Sequence, residues 1–500
     1  MPVQTHRSPD ITFVVSPANA LSVYMPFYFL YLAGYLEKRG FSVEILNPHE
    51  KDPASNVASI LRELQAKRPR YVGLACFVTD YHMVYDLCRR IKNELGLKTL
   101  VGNAHPSIAP EDFLDEGSPF DIVVRGEGEL TVSEILSSSG DAGALEKIGG
   151  VAFRRDGAVH LTEKRKLMDL AQCGMPAYHL IDVGWYRRPT KNLIRRLATV
   201  GTAIYTGRGC PFKCTFCASN TVWNSNRRAD SQPIRKRPLP QVMEELRILQ
   251  DDYGFDFFYV LDDTFGVREK DILDFCDAYK NSGLEMLWGA ETRVGCISNE
   301  QIIKVLKDAG CIQLDFGVES GSPRMLKAIR KGCTVERVVR AFGLCKKGEM
   351  RTFANILVNL PGEDIEDLRK TEELLATIRP TYTSIGVTQP YPGTEICGNL
   401  GFPLSKEDYR SLNRLFPDNR FRLCVHDRDL RRLLLRWFIR YGIYTPVEWS
   451  LFRAGRAYWS KILSSKHRLT YIRFMARELL VSPFRFLRDV ANARRTEAWN

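Results

Sequence analysis

Ala203-Ile-Tyr-Thr-Gly-Arg-Gly209 runs into Cys210-Pro-Phe-Lys-Cys214-Thr-Phe-Cys217, and the reading of this stretch organises the rest of the chain. A short apolar strand feeds a loop in which three thiols fall within eight residues. They can converge on one iron–sulfur cluster while Gly207 and Gly209 let the backbone fold closely around it. No fourth cysteine is local. A cubane held by three protein thiolates keeps one iron open, and an open iron can chelate a small molecule and pass it an electron. Buried thiols or a zinc site are the competing readings; zinc ordinarily wants a second Cys/His pair at matching spacing, and the sequence has none.

The 500 residues suffice for two to four domains with sizeable cores. Thirteen cysteines in so long a chain do not make a disulfide scaffold. Met1 to Asp10 is polar, which predicts no signal peptide, a cytoplasmic chain and reduced thiols. The longest early apolar run, Pro26 to Leu36, is too short to span a bilayer. The net charge of +12 is unevenly placed: 17 Lys and Arg face 6 Asp and Glu from Phe421 to Asn500, so nearly all the excess lies there. That asymmetry predicts a separate basic C-terminal element with an anionic partner.

Upstream of the cysteines, strand-like and helix-like segments alternate. Strands are expected at Ile11–Val15, Ser42–Leu46, Tyr71–Phe77, Lys98–Val101 and Asp121–Val124, with helices at Met25–Lys38, Val57–Lys67 and Met83–Glu94. This α/β alternation predicts a doubly wound parallel sheet over 1–150, whose ligand crevice lies beyond the carboxyl ends of the strands. The loops to watch are 16–20, 78–82, 102–107 and 125–129. Gly150 to Lys164, with Asp156-Gly157 at a turn, reads as a hairpin within a connector over 151–195. From Ala198 six further strand/helix units predict a partial (β/α)6 barrel over 196–400, with functional residues at the carboxyl ends of its strands. Residues 401–500 are expected to be basic, aromatic-rich and mainly α-helical.

The three-then-two cysteine spacing, with Phe216 just before the third thiol, resembles the signature of the radical S-adenosylmethionine (radical SAM) superfamily. Pro26 to Gly40, Gly102-Asn-Ala-His-Pro-Ser107 and Val123-Val-Arg-Gly-Glu-Gly-Glu129 are similar to the cobalamin-binding domain that precedes many such enzymes. The resemblance covers about the first four fifths of the chain. It implies a [4Fe-4S] cluster on Cys210, Cys214 and Cys217, S-adenosylmethionine, and cobalamin as methylcobalamin. It also implies an external electron donor of the flavodoxin or ferredoxin type. Gly102, His105, Gly126 and Glu127 are the candidate cobalamin contacts. Asp80-Tyr-His82 shares the opening of the Asp-x-His-x-x-Gly motif that supplies a histidine to cobalt elsewhere. Tyr85 stands where its glycine would be, and the loop follows a later strand, so His82 is not expected to bind cobalt. His105 is expected near the cofactor but off the metal, and no protein ligand is expected below the cobalt.

At the barrel strand ends lie Asp262 and Asp263, Glu291 and Arg293, Glu319, the turn Asn359-Leu-Pro-Gly-Glu363, and Gln389. In the family such positions hold S-adenosylmethionine: the turn after the second strand takes its amino group, the third-strand arginine its carboxylate, and the fourth-strand acid its ribose. A zwitterion needs one cationic and one anionic partner, and vicinal hydroxyls suit a carboxylate. Asp262-Asp263-Thr264-Phe265 departs from the usual glycine-rich acidic turn, which leaves the amino-group contact open.

Beyond Gly401, Arg428, Arg432, Arg436 and Arg440 recur every four residues opposite Leu430, Leu434, Trp437, Phe438 and Tyr441. One reading is a helical cap with a solvated basic face. The other is a peripheral surface for an anionic membrane that lays the barrel mouth against the bilayer. Nucleic acid is disfavoured, since no binding motif accompanies the charge. The expected activity is methylation of an unactivated carbon in a lipophilic, hopanoid- or isoprenoid-like substrate. A cyclase or ring-rearranging enzyme using the same cofactors, and a non-catalytic cobalamin or cluster carrier, are the alternatives.

Overall fold

The computed structural model describes residues 8–412 apart from Ala20, Leu21, Val23, Lys51, Arg196, Asn226 and Pro233, and beyond them residues 419–426, Arg432, Leu433, Arg436, Trp437 and 455–495. The first sheet carries β1 (Ile11–Val14), β2 (Val43–Leu46), β3 (Tyr71–Ala75), β4 (Lys98–Gly102), β5 (Ile122–Val124), β6 (Val151–Arg155) and β7 (Ala158–Leu161), in the spatial order β2-β1-β3-β4-β5-β6-β7. β1 to β5 are parallel. The chain reverses direction of travel across the sheet between β1 and β3, which opens the crevice of a doubly wound sheet beyond their carboxyl ends.

Local signals set the helices around it. Asp52 caps Pro53–Lys67 by accepting from the Ser55 amide, proline takes the first helical position, and Arg68 closes the helix in a left-handed conformation. Phe27–Glu37 is apolar nearly all round and is largely buried. Its Gly34 lies so close to the Met175 carbonyl that a Cβ would collide with it.

The expected hairpin forms, but not as part of a free connector. β6 pairs antiparallel with β5, so the first sheet continues to Leu161. The reason is packing: Val151, Ala152 and Phe153 are buried against the core, while every residue of β7 is exposed.

The second sheet is parallel and ordered β15-β14-β13-β12-β11-β8, built from β8 (Gly201–Ile204), β11 (Phe257–Val260), β12 (Leu287–Thr292), β13 (Cys311–Glu319), β14 (Arg351–Val358) and β15 (Tyr382–Val387). Between β8 and β11 sits a two-stranded antiparallel ribbon of β9 (Gly207–Arg208) and β10 (Arg235–Lys236). Phe258, Trp288 and Phe316 face the outer helices, stacking on or packing against Tyr279, Phe275 and Phe342. Tyr259, Asp315 and Asn355 consequently face the lumen. There Tyr259 donates to Asp315 at 2.9 Å, and Arg195 donates to Asn355 at 3.0 Å.

Part of the arginine stripe proposed for the C-terminal region, with Arg428, Arg440, Leu430, Leu434, Phe438 and Tyr441, lies outside the described residues. The described helices Gly455–Ser464 and Arg468–Arg495 pack beneath the barrel, at the amino ends of its strands. Tyr458 donates to the Ala198 carbonyl at 2.9 Å, Tyr471 accepts from the Val200 amide at 2.7 Å, and Ser465 donates to Asp256 at 2.6 Å. These two helices therefore lie away from the barrel mouth, whereas Phe421 and Leu423 bond the Asn359–Gly362 turn at the carboxyl end of β14. Tyr471→Phe leaves a buried backbone amide without its acceptor and is expected to cost about 1–3 kcal/mol of stability. The check is an earlier thermal transition together with faster amide exchange at 198–202; an unchanged exchange rate there would refute the role assigned to this bond.

Candidate active site

The carboxyl ends of both sheets face one another across a cavity of about 400 Å³. From the first sheet Phe13, Gly73, Gly102, Asn103, Gly126 and Glu127 line it, and from the barrel Tyr205, Arg208, Trp223, Leu261 and Asp263. Glycine is required at two of these places: a Cβ on Gly73 would run into the Phe13 ring, and Gly126 has φ +76°. Asn103, Glu319 and Asn359 also adopt positive φ (85°, 67° and 64°) without being glycine. All three sit at carboxyl ends of strands, where such strain tends to mark functional positions.

Two aspartates brace the cysteine loop. Asp262 is buried and accepts from the Thr206 amide at 2.6 Å, the Gly207 amide at 3.0 Å and the Thr206 hydroxyl, with Lys236 at 3.3 Å. Burial raises its pKa and Lys236 opposes the rise. Asp263 accepts from the Gly209 amide and from Trp223 Nε1, each at 2.9 Å, and from Ser219. The departure noted at this turn thus has a structural cause, since both carboxylates are committed to loop amides and side chains.

Cys210, Cys214 and Cys217 are free, partly exposed thiols. Cys210 Sγ lies 3.4 Å from Thr264 Oγ1, and Arg293 reaches Cys214 Sγ at 3.6 Å while stacking on Phe212. Burial, then the neighbouring Cys214 and Cys210, push the Cys217 thiol up to about 11. Among the described residues no three His, Cys, Asp or Glu side chains converge as single-ion ligands. In a cluster each thiolate binds its own iron, so such convergence on one point is not needed.

Glu319 is buried and salt-bridged to Lys331 at 2.6 Å. Lys331 is a residue the sequence reading missed; its only local signal is the tight turn at Arg330, with φ +49°. Glu291 has no hydrogen bond to its carboxylate among the described residues, and burial followed by Asp315 raises its pKa. Arg293 Nη2 and Gln389 Oε1 are buried without partners. Unmatched polar atoms of both charge types at the carboxyl ends of β12 and β15 suit a zwitterionic nucleoside.

Two candidates pack elsewhere, and a third is engaged by arginines. His105 is fully buried, bonded to Asp112 at 2.8 Å and packed against Phe113 and Tyr409, away from the cavity. Phe216 packs with Met325, Ile329 and Leu360. Glu127 lines the cavity, but its carboxylate is held by Arg208 and Arg235 at 2.8 and 2.9 Å. His82, not expected on cobalt, lies 2.9 Å from the Lys406 carbonyl.

Family models place this geometry. Residues 17–136 match the B12 binding domain and residues 204–375 the radical SAM superfamily. The chain is a radical SAM enzyme with an N-terminal cobalamin-binding domain, and its cofactors are a [4Fe-4S] cluster, S-adenosylmethionine and cobalamin. Among its relatives is the uncharacterized methyltransferase PH0819 of Pyrococcus horikoshii, 27% identical over 83% of this chain and 88% of that one. The anaerobic magnesium-protoporphyrin IX monomethyl ester cyclase of Rubrivivax gelatinosus is 24% identical over 78% and 69%, and the hopanoid C-3 methylase of Methylococcus capsulatus 27% over 71% and 65%. Of solved structures, the radical S-adenosylmethionine methyltransferase TsrM of Kitasatospora setae shares the fold, with a TM-score of 0.61 at 19% identity over 77% of this chain and 75% of that one.

Asp80, in the loop after β3, supplies a pH-dependent test of this site's scaffold. Burial lifts its carboxyl to about 6, although the Phe77 amide donates to it at 2.7 Å. A carboxyl raised by folding holds its proton more tightly in the folded state, so stability falls as the pH climbs from about 4 through 6. Asp80→Asn removes that ionisation. Urea titrations between about pH 5 and 7 should show the wild type losing about 1 kcal/mol relative to the variant. Parallel pH profiles would show that Asp80 is not the group responsible.

Proposed function

We propose that the chain is a cobalamin-dependent methyltransferase that acts on an unactivated carbon. The observation that carries this reading is that Gly207 and Arg208, which lead into the cysteine loop, face the glycine-lined crevice across one cavity. When bound, the cluster and S-adenosylmethionine supply a hydrogen-abstracting radical, and cobalamin supplies the methyl group. Cys210, Cys214 and Cys217 would hold the cluster, and Asp262 and Asp263 keep their loop in shape. Arg293 would take the carboxylate of S-adenosylmethionine, Glu319 with Lys331 its ribose, and Glu291 or Gln389 its remaining donors. Gly102 and Gly126 would let backbone approach cobalamin, while Phe13, Phe77 and Leu261 exclude water. Similarity to PH0819 and to the hopanoid methylase supports methyl transfer. Similarity to the cyclase supports a second reading with the same cofactors and no net methylation.

The acceptor is taken to be lipophilic but to carry a polar group. Phe353 and Leu357 share the lumen face with Asn355 and Asp315, whose amide and carboxylate are bonded to Arg195, Tyr259 and Gln313, so the lumen offers an acceptor apolar surface beside a polar edge. The electron donor is taken to be a flavodoxin or ferredoxin. No described helix is long and apolar enough to cross a membrane. Contact with an anionic bilayer would instead run through Leu469, Ile472, Leu479 and Leu480, which are 50–73% exposed beside Arg473 and Arg477.

Replacing Cys210, Cys214 and Cys217 together with alanine should abolish the cluster absorbance and all cleavage of S-adenosylmethionine. Retention of a full cubane would defeat the assignment. For the reaction class, extracts supplied with methyl-deuterated S-adenosylmethionine should yield a product heavier by one labelled methyl; a product with no added carbon would favour the cyclase reading.

Membrane contact is read by co-sedimentation with phosphatidylglycerol-rich and phosphatidylcholine vesicles across a salt series. The wild type should prefer the anionic vesicles, and Leu469→Asp with Leu480→Asp should lose most of that binding. Equal pelleting of both proteins would leave the tail as a cap alone.

A further inference from the structure

Three arginines on the β9–β10 ribbon grip the cobalamin-binding domain. Arg208, two residues before Cys210, donates from Nη1 to Glu127 at 2.8 Å and from Nη2 to Glu129 at 2.6 Å. Arg235, its direct partner across the ribbon, donates to both oxygens of Glu127, at 3.0 and 2.9 Å, and to the Met168 carbonyl at 2.9 Å. Arg237 donates to Tyr31 at 3.0 Å and to Glu245 at 2.5 Å. The carboxylates of Glu127 and Glu129 are no more than 7% exposed. Burial works against the Arg208 charge, and Glu129 and Glu127 more than restore it.

Such a cluster is a poor way to gain stability, because withdrawing these charges from water costs about what their attraction returns. What a two-pronged guanidinium adds over an apolar contact is direction: both prongs are satisfied in only one relative placement of the partners. The placement fixed here is a particular one. Glu127 and Glu129 follow Gly126 at the cavity wall, and Arg208 precedes the first cysteine, so the two loops on either side of the cavity are joined through a single side chain.

We propose that Arg208 is a positioning residue that sets the separation and tilt of cobalamin relative to the cluster by clamping the 126–129 loop to the cysteine loop. Arg235 supports the clamp by holding Glu127 from the other side. The inference rests on the two cofactors alone and not on methyl transfer, so it can fail while that reading stands.

The test uses the reconstituted full-length protein as wild type, Arg208→Met, Arg208→Lys and Glu129→Gln. Iron and sulfide content should stay unchanged in all four, because no cluster ligand is touched. Cobalamin retention after gel filtration should fall about tenfold or more in Arg208→Met. Pulsed electron paramagnetic resonance between the reduced cluster and the cob(II)alamin spin should give a narrow distance distribution in the wild type and a broad one in Arg208→Met. Arg208→Lys keeps the charge without the fork and should restore retention but not the narrow distribution. Should Arg208→Met fail to fold, Glu129→Gln, which removes one carboxylate charge without changing shape, is read in the same assay and should broaden the distribution. Unaltered distributions in every variant that folds would overturn the proposal, as would a loss of cluster and cobalamin together.

Discussion

A parallel sheet has only one end at which its loops can hold a ligand, so two parallel sheets can share a cavity only if those ends are turned toward each other. In this chain that constraint is met by the short ribbon inserted between β8 and β11. Gly207 gives it room, since a Cβ there would collide with the Arg235 carbonyl, and Asp262 ties its first residues to the end of β11. The ribbon then carries Arg208 and Arg235 out to Glu127 and Glu129, and Arg237, held by Glu245 of the barrel's own helix, reaches Tyr31. One aspartate therefore serves both jobs: it shapes the approach to the cysteines, and it orients the strand from which the arginines reach the other domain.

The periodic elements were legible in the sequence because each buries a regular face. Helix Ile365–Ile378 is marked at both ends, by the Asp364 and Asp367 capping box and by left-handed Arg379, and the β13 run Cys311–Glu319 is buried throughout. The three cysteines were legible because their spacing is local. What was not legible was partnership across long sequence separations. Nothing near Glu127 indicates that arginines 81 and 108 residues away would occupy its carboxylate. His105 likewise looked like a cofactor neighbour because it follows a strand end, yet Asp112 and the surrounding aromatic rings take it into the core. Lys331 is invisible in sequence because its role depends on the turn that brings it back beneath Glu319.

The tail shows the same limit from the other side. Composition placed a basic, aromatic-rich element after residue 421, and the described part is helical. Where its two long described helices sit was decided by three polar contacts, from Tyr458, Ser465 and Tyr471, to groups at the amino ends of β8 and β11, while Phe421 and Leu423 meet the turn after β14. Aromatic residues that read as an interfacial belt are, at Tyr458 and Tyr471, fully buried hydroxyl donors and acceptors. On the two described helices the most exposed apolar side chains are instead leucines and an isoleucine, which an aromatic-rich composition does not single out.

The lumen carries the argument about the substrate one step further. Asp315 is withdrawn from water and held by Tyr259 at 2.9 Å, Gln313 at 2.9 Å and the more distant Arg195 at 3.6 Å. Burial raises its pKa and Arg195 pulls it back. A barrel that accepted only hydrocarbon would gain nothing from keeping this set, because an apolar replacement of the same shape would cost no desolvation. Arg195 belongs to the connector and not to the barrel, and it spans from Asp315 to Asn355 across the inner face. The segment that joins the two domains thus also forms part of the lumen wall. A change in how the domains meet would therefore move this wall as well as the 126–129 loop.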